Sequence, residues 1–201
     1  MDAVLFDIGN VLVRFDFNRA VQRVAQRASA SPQEISSLVH GLIPALETGR
    51  LSSEAFLEEV RRRTGFQGTC GDLQDAYCDI FRLHQPMWEL VRRLHGRMTL
   101  CLFSNTSELH LAHIRRTYPE FDLIPQGIYS MRVGAMKPDR AIYDAAVNLL
   151  DTAPERILYI DDLPANIQAG HAHGFRSILY DPEQHPILLR ELATLPGKFG
   201  Q

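Results

Sequence analysis

Apolar runs of strand length recur along the chain at Val4–Phe6, Met98–Phe103, Ile128–Tyr129, Ile157–Ile160 and Ile178–Tyr180. Between most of them lie stretches whose apolar residues fall three or four apart, the spacing of one helix face. Gln85–His95 carries Met87, Leu90, Val91 and Leu94, and Arg140–Leu150 carries Ile142, Ala145, Ala146, Leu149 and Leu150. A further helix is predicted over Ser107–Thr117. Strands that alternate with helices predict an α/β fold with a doubly wound parallel sheet covered on both faces.

The interval from Phe17 to Leu83 breaks this alternation, because it offers no strand pattern. It predicts four helices instead: Asn18–Ala28, Ser31–His40 with Pro32 at the first helical position, Ser52–Arg63 and Thr69–Phe81. Gly41, Gly49, Gly65, Gly68 and Gly71 punctuate it. The chain therefore divides into a sheet-bearing part, residues 1–16 plus 85–201, and an all-helical insertion, residues 17–84.

Composition narrows the class. With 201 residues and 45% hydrophobic content the chain can bury a substantial core. The formal net charge of −3 and the scattered Lys and Arg residues argue against nucleic acid as a partner. The apolar start carries Asp2 and Asp7 where a leader peptide would be basic, and no run approaches a membrane span, so a cytoplasmic protein is expected. Cys70, Cys78 and Cys101 form no CxxC pair and predict free thiols, Cys101 as a small buried hydrophobe. Trp88 is expected in the core. His110 with His113, and His171 with His173, lack a third ligand and are expected as exposed helix histidines.

Ligands of an open parallel sheet sit beyond the carboxyl ends of its strands. Those ends are polar here: Asp7-Ile8-Gly9-Asn10-Val11 after the first strand, Ser104-Asn105-Thr106 after the second, and Asp161-Asp162 after the fourth, with Lys137-Pro138-Asp139 leading into a helix. Taken singly, each is an ordinary turn or helix cap. In this order, the four segments resemble the four motifs of the haloacid dehalogenase superfamily, and the helical insertion looks like its C1-type cap. Within that superfamily the motifs resemble the branch of bacterial sugar phosphatases that act on glucose 1-phosphate. The resemblance implies a Rossmann-like core and a phosphatase.

It also implies roles that elementary chemistry supports. A carboxylate held in line can attack phosphorus if the phosphate charge is neutralised, which makes Asp7 the expected nucleophile. Mg²⁺, a hard cation with oxygen ligands, is the expected cofactor, held by Asp7, the Gly9 carbonyl, Asp162 and, directly or through water, Asp161. Ser104 and Asn105 are expected to cradle the phosphate, Lys137 to add positive charge and restrain Asp7, and Asn166 to support the carboxylates from behind.

One position departs from the family pattern. Two residues after the nucleophile most of these phosphatases carry a second Asp, which protonates the leaving oxygen; here stands Gly9. Asp16 and Arg14 are the nearest replacement candidates, Asp16 being readable also, and more readily, as the cap or entry residue of the first helix of the insertion. Alternatively the leaving group departs unaided, or catalysis is slow. Glu47 and Arg50, in the loop between two helices of the insertion, are candidates for contact with the substrate beyond its phosphate, or a solvated polar loop. The function expected is a phosphomonoesterase acting on a small phosphorylated metabolite, sugar phosphates first, as a monomer or weak homodimer. The alternatives are a 2-haloacid dehalogenase, which needs no acid because halide leaves without a proton, and a noncatalytic binding module.

Overall fold

A computed structural model describes residues 1–195. In chain order its elements are β1 (Ala3–Phe6), β2 (Val13–Phe15), α1 (Phe17–Ala25), α2 (Pro32–Glu47), α3 (Ser53–Thr64), α4 (Cys70–Cys78), β3 (Phe81–Leu83), α5 (Gln85–Leu94), β4 (Thr99–Ser104) and α6 (Glu108–Thr117). Then follow β5 (Gly127–Tyr129), α7 (Ser130–Val133), α8 (Arg140–Leu150), β6 (Ile157–Asp161), α9 (Pro164–Ala172), β7 (Arg176–Leu179) and α10 (His185–Ala193). The five strands anticipated from apolar runs form one parallel sheet in the order β5-β4-β1-β6-β7.

Alternation along the strands sorts the core into two layers. Val4, Phe6, Leu100, Leu102, Leu158 and Ile160 point to one face, together with Trp88 of α5 and Ile114 of α6. Ala3, Leu5, Cys101, Phe103, Ile157 and Tyr159 point to the other, where Ile142, Tyr143 and Ala146 of α8 cover them. Trp88 is fully buried, and its indole N–H donates to the Leu12 carbonyl at 2.9 Å, satisfying the one polar atom it brings inside.

Helices α1 to α4 follow the first strand, but their ends differ from expectation. Phe81–Leu83, of which Phe81 was expected to end a helix and none was expected in a strand, is instead a strand, paired antiparallel with Val13–Phe15 in a two-stranded ribbon. Helix α4 stops at Cys78, and α1 stops at Ala25. Three residues carry too little periodicity to announce a strand whose partner lies far away in sequence. Helix α2 runs on past Gly41 and Pro44 to Glu47. Burial of Ile35, Val39 and Leu46 on one face outweighs the two local breakers. That extra length carries Glu47 to the sheet edge.

Among the described residues no helix is long and apolar enough to cross a membrane. All three cysteines are free thiols, and burial pushes the Cys101 thiol up to about 12, which leaves it a packing residue.

Candidate active site

Strand order reverses between β1 and β6, so the crevice at their carboxyl ends is the place where loops diverge. The register sets Phe6 opposite Ile160, and the Asp7 amide donates to the Ile160 carbonyl at 3.0 Å. Asp7 and Asp161 are therefore neighbours on one face. The loop following β1 turns sharply through Asn10, which has a left-handed φ of 52° that Asn accepts more readily than most residues. Its side-chain amide donates to Asp162 Oδ2 at 3.0 Å, tying the first loop to the fourth.

Lys137 joins them. Buried in the loop before α8, its Nζ donates to the Phe103 carbonyl at 2.8 Å and to Asp161 Oδ2 at 2.6 Å, and lies 3.0 Å from Asp7 Oδ1. Burial alone would lower this ammonium, but the two carboxylates hold it above its usual range. Asn105 fixes the Lys137 backbone from both sides: its Nδ2 donates to the Lys137 carbonyl at 2.9 Å, and its Oδ1 accepts from the Lys137 N–H at 2.7 Å. The Asn105 amide, expected to hold phosphate, is thus engaged in positioning Lys137. Ser104, 3% exposed at the end of β4, remains beside Asp7 with its hydroxyl on the Asn105 carbonyl at 3.3 Å.

Asp161 is fully buried and saturated with donors. Oδ2 accepts from Lys137 and from the Tyr159 hydroxyl, and Oδ1 from the Leu163 N–H at 2.8 Å and Asn166 Nδ2 at 3.0 Å. Burial by itself would raise this carboxyl, but the Lys137 pair and these bonds hold it below the ordinary range. Asp7 differs. Burial raises it to about 6, Lys137 opposing and Asp161 adding to the rise, and its Oδ1 accepts no well-aligned hydrogen bond among the described residues. Asp162, half-buried, is likewise raised by burial.

Asp7, Asp161 and Asp162 each bring an oxygen to within 4.8 Å of the others. Three carboxylates face one ammonium, and the Lys137 Nζ that lies 3.0 Å from the buried Asp7 Oδ1 is shared with Asp161. A divalent cation with oxygen ligands fits this arrangement on charge and on donor type.

A cavity of about 280 Å³ opens over this edge, lined by Gly9, Ser104, Asn105 and Thr106 below and by Phe15, Phe17, Tyr77 and His110 around it. Glu47, at the end of α2, lines it as well. Burial lifts the Glu47 carboxyl to about 7, with Asp7 adding to the rise and Lys137 opposing it. The next turn presses against the sheet-bearing part: at Gly49, with φ of 71°, a Cβ would stand 2.4 Å from the Met131 carbonyl oxygen.

Other candidates lie elsewhere. Arg14 pairs with Glu183 at 2.8 Å in the open, and Asp16 caps α1 by accepting from the Asn18 and Arg19 amides, so neither replaces the acid absent at Gly9. Arg50 is exposed, with its Nε on Thr48 Oγ1 at 3.0 Å. Two histidines expected on exposed helix surface are instead packed inward: His110 stacks on Tyr77 at 4.6 Å, and His173 on Tyr143 at 4.7 Å. Residues not singled out from sequence are Asn10, Tyr159 and the aromatic cavity wall. Tyr159 carried a signal, since residues two apart on a strand share a face and Asp161 follows it.

Fold and site together define a hydrolase with a buried acidic cluster at the switch point of a parallel sheet. Residues 1–174 match the haloacid dehalogenase-like hydrolase family, and the chain belongs to it. It is 25% identical over 203 residues, 96% of this chain and 97% of its relative, to a D-ribitol-5-phosphate phosphatase of Bacteroides thetaiotaomicron. A HAD-like family hydrolase from Porphyromonas gingivalis superposes with a TM-score of 0.83 at 25% identity, covering 97% of this chain and 99% of that one. A HAD family enzyme of Bacteroides thetaiotaomicron, solved with magnesium and inorganic phosphate, shares the fold with a TM-score of 0.82 at 19% identity, over 92% of this chain and 96% of that one.

Proposed function

We propose that this enzyme is a Mg²⁺-dependent phosphomonoesterase that hydrolyses a small phosphorylated metabolite, sugar phosphates first, through an aspartyl-phosphate on Asp7. The observation that carries this reading is the excess of negative charge at the site: the buried Asp7 and Asp161 with the half-buried Asp162, against Lys137 alone. The ribitol phosphate substrate in the name of one relative, and the magnesium and phosphate bound to another, point the same way.

Asp7, Asp162 and the Gly9 carbonyl would hold the ion. Asp161, its oxygens already occupied, would reach it through water. Bound there, Mg²⁺ supplies charge neutralisation for the phosphoryl group. Lys137 restrains the Asp7 carboxylate and adds positive charge beside the transferring group. The Ser104 hydroxyl and the amides of its loop would donate to phosphate oxygens, while Asn105 and Asn166 keep Lys137 and Asp161 in place. Asp7 attacks phosphorus, the bond to the bridging oxygen breaks, and water then cleaves the aspartyl-phosphate. The helices of residues 17–84 act as a cap that closes the cavity over the alcohol part of the substrate.

A 2-haloacid dehalogenase is the weaker reading. Its substrate brings no dianion to a cation, so Asp161 and Asp162 would be costly carboxylates without a task. Cytoplasmic residence and a monomer or weak homodimer complete the proposal.

The test is phosphate release from a panel of phosphorylated metabolites and p-nitrophenyl phosphate, with Mg²⁺ and with EDTA, by wild type and Asp7→Asn. The reading expects activity that needs both the ion and Asp7. Activity independent of either would refute it, and none under any condition would favour the binding module.

A further inference from the structure

We propose that Glu47, reaching into the cavity from α2, is the general acid that protonates the leaving oxygen, in place of the side chain absent at Gly9. This rests on the phosphatase reading above and assigns the proton that reading leaves without a donor.

Three observations converge. First, the loop after β1 brings no side chain at Gly9, and a Cβ there would press on the Phe15 ring, 3.1 Å from its Cε1. Second, Glu47 is the single carboxyl among the described residues that line the cavity, which it shares with Gly9 and Ser104, and it is near enough to Asp7 and Lys137 to feel both charges. Third, its carboxyl makes no hydrogen bond or ion pair with any described residue, unlike most other polar groups around the site. A solvated loop residue would be exposed, but Glu47 is half-buried.

The other groups on the cavity wall suit the task less well. Burial lowers His110 to about 4, so it is neutral and has no proton to give at neutral pH. His40 is turned back onto its own helix, with Nδ1 2.8 Å from the Ser36 carbonyl. Glu47, which lines the cavity with Phe17, Ile43 and Tyr77, is pushed up to about 7 by burial, so a substantial share of it carries a proton at neutral pH.

The step balances. As Asp7 Oδ bonds to phosphorus, the phosphorus–oxygen bond to the alcohol breaks and its electron pair stays on oxygen. That oxygen takes the Glu47 proton and leaves as the alcohol. Glu47 carboxylate then accepts a proton from the water that attacks the aspartyl-phosphate, which restores the acid and frees Asp7.

The experiment compares wild type and Glu47→Gln at saturating Mg²⁺ on an aryl phosphate series ending in p-nitrophenyl phosphate, and on an alkyl or sugar monophosphate. kcat/KM reports the first irreversible step. The proposal expects Glu47→Gln to lose ~10²–10⁴-fold more kcat/KM with the unactivated ester than with p-nitrophenyl phosphate, whose leaving group needs no proton. The dependence on leaving-group acidity steepens accordingly, and p-nitrophenol is released in a burst before slow turnover. Gly9→Asp added to Glu47→Gln restores part of the loss if Phe15 swings aside. An unchanged leaving-group dependence would overturn the proposal. So would a rise in KM alone, which marks Glu47 as a contact for substrate hydroxyls, or an even loss on every substrate with a lowered melting temperature, which marks it as structural. Asp7→Asn separates the two claims. If it is inactive while Glu47→Gln behaves as wild type, only the role of Glu47 fails; if it stays active, the phosphatase mechanism fails with it.

Discussion

Lys137 Nζ lies 2.6 Å from Asp161 Oδ2, with both side chains essentially withdrawn from solvent. Such a pair is a weak source of net stability but a dangerous one to break, because removing one partner strands the other as an uncompensated buried charge. Lys137→Ala in the metal-free protein is expected to cost about 3–5 kcal/mol in denaturant unfolding at pH 7. The loss shrinks toward pH 4, where Asp7 and Asp161 take up protons once the ammonium is gone. A change below about 1 kcal/mol at pH 7 would show that the pair is not buried as described.

Glu47 gives a second pH-dependent prediction, one of stability. Its folded-state carboxyl titrates near 7 against an ordinary 4.5, with burial the main cause. A raised acid favours the folded state fully below its ordinary value and loses that advantage as pH rises through the folded value. Glu47→Gln cannot ionise. In EDTA its melting temperature should therefore rise relative to wild type between pH 4.5 and 7 and keep a constant lead above pH 8. That lead corresponds to on the order of 1–3 kcal/mol. Parallel curves across this range would mean that Glu47 is solvated.

Gly49 fixes how the end of α2 meets α7. A side chain there combines a left-handed backbone with a Cβ driven into the Met131 carbonyl. Gly49→Ala should lower kcat/KM, by up to ~10²-fold if Glu47 is displaced by about an ångström. The melting temperature falls as well, since the left-handed conformation costs ~1–2 kcal/mol in a residue with a Cβ. Wild-type activity in this variant would show that the contact does not position the cavity wall.

How much of this was legible depends on the range of the interaction concerned. Asp7, Ser104 and Asp161 each close an apolar run, and a polar residue ending a buried strand is visible without any partner. Lys137 closes no strand, and only the resemblance of the four segments, in their order, to the family's motifs singles it out. Asn105 was found, but its task was not, because no local pattern tells an amide aimed at phosphate from one clamped on the backbone of a residue 32 positions away. Arg14 and Asp16 misled for the converse reason. They stand near Asp7 in sequence, yet the ribbon formed with Phe81–Leu83 turns Arg14 toward Glu183, and Asp16 is consumed in capping. The cavity wall was invisible from sequence, since Phe15, Phe17, Tyr77 and His110 come from separate elements that meet only in the fold. Gly41 and Pro44 hid the length of α2, and with it the reach of Glu47.

The central claim is that phosphorus passes through the Asp7 carboxylate. Quenching the enzyme during turnover of a phosphate monoester with Mg²⁺, reducing any acyl phosphate with borohydride and sequencing the peptides by mass spectrometry tests it directly. The account predicts homoserine at position 7, absent without Mg²⁺ or without substrate. Steady hydrolysis with position 7 unmodified, or with the reduced residue found elsewhere in the chain, would contradict it.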